Sequence, residues 1–123
     1  MAQVSALIYF AICVGIVLFQ VCMIAGAPWG RLTQGGFNSG ELPIRNRILA
    51  GFSAFLMLSL GLSIVSAAGY WPGWPIWSGW IALALTVVSA VMNLLTPSLP
   101  ERMLWAPVTL SMLCLALIVM LMK

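Results

Sequence analysis

Residues 4–27 read VSALIYFAICVGIVLFQVCMIAGA, and this stretch decides the fold. Its one strongly polar side chain is Gln20, and it contains no Asp, Glu, Lys or Arg. A hydrocarbon core near 30 Å takes roughly 20 residues of α-helix at about 1.5 Å each, so the run is long enough to cross a bilayer. It does not alternate over about ten residues as a membrane barrel strand does, which leaves a helix as the conformation that satisfies its own backbone in lipid. A secretory signal peptide would start with a basic segment. Met1-Ala2-Gln3 has no base, so the run is expected to persist as a mature helix.

The rest of the chain repeats the pattern. Apolar runs at about 48–68, 76–95 and 103–122, the last within a helix over 99–122, each have the length of a span. With 63% apolar residues, 6% charged residues and a mean hydropathy of +1.14, the chain cannot clothe a soluble domain, which carries roughly a quarter charged residues. The expected fold is all-α, a four-helix transmembrane bundle forming a single integral membrane domain over residues 1–123.

The connections are punctuated accordingly. Ala27-Pro28-Trp29-Gly30 is expected to stop the first helix. The segment Gly35-Gly36-Phe37-Asn38-Ser39-Gly40, followed by Pro43, forms a long structured or re-entrant loop. The second connection, Gly69-Tyr70-Trp71-Pro72-Gly73-Trp74-Pro75, leads into Trp77 and Trp80 and reads as an aromatic belt at headgroup level. Ser98, Pro100 and Glu101 make an S-x-x-E capping box that starts the fourth helix near Leu99. Pro107 predicts a kink in that helix.

Charge gives an orientation. The termini and the second loop share one side, which carries Lys123. The first and third loops share the other, which carries Arg31, Arg45, Arg47 and Arg102. By the positive-inside rule the first and third loops are cytoplasmic and both termini lie outside.

Small and polar residues form lines along three helices: Ala11, Gly15, Cys22 and Gly26 on the first, Ser59, Ser63 and Ala67 on the second, Ala82, Thr86, Ser89 and Asn93 on the third. Such lines either pack the bundle or form a polar seam or an interface with another protein. The Leu-, Ile-, Val- and Met-rich second half of the fourth helix is expected to face lipid. Gln20 and Asn93 lie at similar depth near the cytoplasmic ends of their helices, where an unsatisfied amide is costly, and are expected to meet as an intramembrane polar seam.

The cytoplasmic face gathers Trp29, Arg31, Glu41, Arg45, Arg47, Glu101 and Arg102, together with Asn38 and Trp105. It is a candidate polar, anion-binding surface on which arginines contact lipid phosphate or form a built phosphate site. Several classes are excluded or disfavoured. There is no histidine, which removes His-based haem, zinc and copper ligation and His general-base chemistry. The first helix lacks the membrane Glu of small proton-coupled drug antiporters, and the carboxylates are expected at the interface, not inside. Cys13 and Cys22 point to opposite sides of one helix, and with Cys114 they read as apolar packing residues. No cofactor, metal site or nucleic-acid surface is expected.

The segments Gly26-Ala27-Pro28-Trp29-Gly30, Gly35-Gly36, Gly40, Leu42-Pro43 and Arg47, with Asn93-Leu94-Leu95-Thr96-Pro97-Ser98, Glu101-Arg102 and Trp105-Ala106-Pro107, resemble an uncharacterised group of small four-helix bacterial integral membrane proteins over nearly the full chain. The resemblance implies a bacterial inner-membrane location and carries no catalytic role. The leading expectation is a non-catalytic accessory or interaction subunit that binds membrane lipid, anionic lipid included, or joins a larger complex or a second copy. The alternative is a small oligomeric transporter or channel using Gln20 and Asn93. A lipid-modifying enzyme is disfavoured, since Glu41 and Glu101 have no evident partner base.

Overall fold

The computed structural model describes residues 2–26, 44–96 and 99–122. These residues form α1 (Ala2–Ile24), α2 (Ile44–Ala67), α3 (Ile76–Leu95) and α4 (Leu99–Met122). All four are long and apolar enough to cross a membrane. In sequence order each packs against the next, and α4 returns to α1, so the helices run alternately up and down and close into a four-helix bundle. The ends of α1 and α3 and the starts of α2 and α4 therefore share one end, here called the arginine end.

The helix ends follow local chemistry. α1 stops at Ile24, short of Ala27, because Gly26 adopts a left-handed φ of 105° and its N–H donates back to the Met23 carbonyl. α2 ends in a Schellman motif. Gly69 sits at φ 98°, its N–H bonds the Ser66 carbonyl at 3.0 Å, and the Tyr70 N–H bonds the Val65 carbonyl at 3.0 Å. α2 starts at Ile44, before the apolar run does. Arg45, Asn46 and Arg47 continue the helix where headgroups replace hydrocarbon and charge is tolerated. α4 continues through Pro107. The capping box lies in part on Ser98, outside the described residues.

Outward faces are apolar on every helix. Phe52 and Phe55 on α2, Leu95 on α3 and Met103 and Leu121 on α4 are among the most exposed side chains. Tyr70, Trp71, Trp74, Trp77 and Trp80 are all exposed at the opposite end, the arrangement of an interfacial belt.

The interior corrects two sequence expectations. The small line on α1 does not pack the bundle: Ala11, Gly15 and Cys22 are exposed, and a Cβ on Gly15 would meet nothing within 4 Å. The face of α1 turned inward carries Ser5, Tyr9, Cys13, Ile16, Gln20 and Met23. Small Ala2 and Ala6 share this face, and it buries the Tyr9 hydroxyl against a partner. The Tyr9 Oη lies 2.7 Å from Thr86 Oγ1 across the bundle, and the Thr86 hydroxyl is also 2.7 Å from the Ala82 carbonyl. In membrane proteins such a bond is worth about 0.6 kcal/mol on average. The second half of α4 is likewise not wholly lipid-facing, since Met112, Ala116, Val119 and Met120 line the core.

Close approach occurs instead at two other glycines. A Cβ on Gly61 of α2 would lie 2.9 Å from the Phe10 ring and 3.2 Å from Cys13 Cβ. On Gly79 of α3 it would lie 2.9 Å from the end of Met120 and 3.2 Å from Ala67 Cβ. Met120 can swing away, but Cys13 Cβ and Ala67 Cβ are each fixed to a helix backbone, and at Gly61 the nearer neighbour is a packed aromatic ring. Gly61→Ala is therefore expected to lower stability in detergent by roughly 1–3 kcal/mol through overpacking. Gly15→Ala should be neutral or gain up to about 1 kcal/mol from helix propensity. Equal effects in thermal unfolding of the two variants would refute this packing.

Candidate functional site

The arginine end has an outer and an inner part. Outside, Arg45 and Arg102 are exposed and Arg47 is half-buried, at the first turns of α2 and α4. A helix start carries partial positive charge from its unpaired N–H groups, so these positions do not favour arginine on the helix's own account. The guanidinium groups themselves make this a surface suited to anions. Trp29, Arg31 and Glu41 of the predicted face lie outside the described residues, as does Asn38.

Glu101, predicted on the same face, turns inward. It is 9% exposed, and its Oε2 accepts a 3.2 Å hydrogen bond from Thr96 Oγ1, which is itself buried. Thr96 is the residue that caps the end of α3, so this bond ties α3 to the first turn of α4 across the short third connection. A carboxylate in the first turn also complements the α4 dipole. Glu101 thus keeps its place at the end of α4 while its carboxylate is buried against the bundle and not spread on the surface. The S-x-x-E capping box involves Ser98, outside the described residues; Thr96, five residues before Glu101, is a partner that the spacing did not point to.

Inside, a cavity of about 170 Å³ lies between the four helices. Its polar lining is Gln20 from α1, Ser53 from α2, Ser89 and Asn93 from α3, and Glu101 and Thr109 from α4. Its apolar walls include Trp105, whose ring meets Phe19 edge-on with centroids 4.9 Å apart and planes at 77°. Aromatic pairs in this geometry hold neighbouring helices in place, here α1 and α4.

Gln20 and Asn93 thus share one cavity, but they do not bond to each other. Gln20 Nε2 donates to Ser53 Oγ at 3.3 Å, linking α1 to α2. Asn93 Nδ2 donates to the Ser89 carbonyl at 2.8 Å, within its own helix. The Thr109 hydroxyl similarly donates to the Trp105 carbonyl at 2.8 Å. Gln20 Oε1 is buried and has no hydrogen-bond partner. Sequence reasoning identified both amides, their common depth and Ser89 on one line with Asn93; it missed Ser53 and Thr109, which are unremarkable as isolated hydroxyls and become informative only when four helices bring them together.

Among the described residues no cluster of three or more His, Cys, Asp or Glu side chains could hold a metal ion. Cys13 is buried, whereas Cys22 and Cys114 are exposed on outward faces. No family model matches the chain, and neither a curated protein nor a solved structure matches it.

The two amides differ in what they hold. Asn93→Leu removes a bond made within α3 and is expected to change stability in detergent by no more than about 0.5 kcal/mol. Loss of several degrees in melting temperature would show that Asn93 bridges helices after all.

Proposed function

We propose that this protein is a multi-pass subunit of the bacterial inner membrane, non-catalytic, that holds anionic lipid at its arginine end and docks other membrane protein against its apolar flank. One observation carries the reading. Arg45, Arg47 and Arg102 stand at the starts of two membrane helices that lie diagonally in the bundle, at the end opposite an exposed tryptophan belt. Clusters of basic residues at a cytoplasmic membrane face draw anionic lipid at about 1 kcal/mol per residue. The same bias places the first and third connections in the cytoplasm and both termini outside. The resemblance to small four-helix bacterial membrane proteins agrees with this location.

The flank supports the second half of the proposal. Ala11, Gly15 and Cys22 leave a shallow strip on the outward face of α1, where another helix backbone can come close without displacing a large side chain. A transporter or channel reading is favoured by a different observation, the polar cavity on which Gln20 and Asn93 lie. The two readings diverge in proteoliposomes containing this chain alone, where a transporter moves solute and a subunit does not.

Arg45→Ala combined with Arg47→Ala should reduce co-purifying phosphatidylglycerol several-fold in native mass spectrometry, and unchanged retention would eliminate the lipid face. A thiol introduced as Trp74→Cys should react with an impermeant reagent on intact cells. Reaction only after permeabilisation would invert the orientation. Gly15→Leu should abolish co-purification of a partner or a second copy while leaving the melting temperature of the isolated chain unchanged.

A further inference from the structure

Gln20 has one half of its amide bonded within the protein and the other half not. Its Nε2 donates to Ser53 Oγ at 3.3 Å, whereas its Oε1, on a side chain only 7% exposed, accepts nothing from the protein. Folded proteins rarely leave a buried acceptor so, and Gln20 borders the cavity of about 170 Å³ at the arginine end. Donors border the same space. An amide nitrogen carries two N–H groups, and Gln20 and Asn93 each place one on a protein acceptor, Ser53 Oγ and the Ser89 carbonyl. The second N–H of each remains, as does the hydroxyl proton of Ser53, which is the acceptor in its bond with Gln20. The Glu101 carboxylate is already engaged within the protein, so the unmet hydrogen-bonding capacity belongs to neutral groups.

Unmet groups of both kinds select the occupant. A cation would be opposed by the N–H and O–H donors and an anion by Oε1, and a hydrocarbon chain would leave all of them unbonded. The groups also sit on three different helices, α1, α2 and α3, so no single rigid shape is prescribed. Water meets these terms. It donates and accepts, makes about three bonds when buried, and fills polar cavities while apolar ones stay dry. At roughly 30 Å³ per molecule the cavity has room for about five.

The depth of the cavity is limited. Its lining runs from Glu101, in the first turn of α4, to Thr109, about 12 Å further along the helix at about 1.5 Å per residue and less than half of a hydrocarbon core near 30 Å. Just beyond, the interior closes: Tyr9, Cys13, Ile64 and Met112 are at most 1% exposed. The polar pair in that layer, Tyr9 and Thr86, is bonded to itself at 2.7 Å, and Thr86 also bonds the Ala82 carbonyl. Water gains no partner there.

We propose that the cavity is a hydrated vestibule holding about five water molecules, one of which donates to Gln20 Oε1, and that hydration stops at the Tyr9–Thr86 layer. One copy of the chain then has a wet half and a dry half, and offers a solute a dead end and not a passage. The inference stands apart from the lipid face, since it uses none of the arginines.

The test is hydroxyl-radical footprinting of the full chain in nanodiscs, with oxidation read residue by residue by mass spectrometry. Radicals form from water and label what water touches. Trp105, on the cavity wall, should be oxidised, and Met112 in the dry layer should react at least about ten-fold more slowly although methionine sulfur is readily oxidised. Gln20→Leu should slow labelling of Trp105 about five-fold. Trp105 protected as fully as Met112 would show a cavity that is dry or filled by lipid, and would overturn the proposal. Met112 oxidised as fast as Trp105 would remove the dry layer, and an unchanged Trp105 rate in folded Gln20→Leu would remove the water from Gln20; either result also overturns it. Should that variant fail to fold, NMR on the wild type in deuterated lipid decides. Magnetisation from water should reach the side-chain NH₂ groups of Gln20 and Asn93 but not the Met112 methyl, and no transfer to either amide would defeat the proposal.

Discussion

Inside hydrocarbon a polar atom has only the protein to bond with, and nearly every feature of this bundle follows from that constraint. It makes each crossing a continuous helix, because a helix alone satisfies its backbone within one segment. It also removes the usual reason for helices to associate, since an apolar side chain gains nothing by exchanging lipid for another helix. Association must then come from close packing and from polar groups that prefer a partner to oil. The structure has both in one layer: Gly61 admits α1 against α2, and Tyr9 reaches Thr86 across the interior. The inward face of α1 combines both, the polar Tyr9 and Gln20 with the small Ala2, Ser5, Ala6 and Cys13.

This explains which parts of the fold were legible in the sequence. The ends of α3 and the start of α4 fall where proline, capping and apolar length all agree, and they could be read directly. The end of α1 could not, because Gly26 terminates the helix inside a run whose composition is still apolar. The inward face of α1 was misread for a related reason. Small residues mark where helices can approach, but Ala11 and Gly15 are exposed, so a line of them need not turn into the bundle. The line of Ser5, Tyr9, Cys13 and Gln20, spaced four, four and seven apart, was present in the sequence and carries the stronger constraint.

The site was legible in its members and not in its arrangement. Gln20 and Asn93 were identifiable because an amide in a span is expensive. Their relation was not, because whether an amide bonds its own helix or another depends on rotamers and neighbours that a sequence does not contain. Glu101 shows the same limit from the other direction. One spacing pattern fits both a helix cap and an inward turn, and Thr96 resolves it only once α3 and α4 are placed together.

The arginine end also shows why side chains, and not helices, set the field there. Alternating direction brings two helix starts and two helix ends to the same side, so their opposite partial charges largely offset one another. Among the described residues, what remains at that end is a set of fixed charges: guanidinium groups outward at Arg45 and Arg102, a carboxylate inward at Glu101. Over the distance of a turn or two the environment passes from cation-bearing to anion-bearing while the surrounding medium passes from headgroup to hydrocarbon.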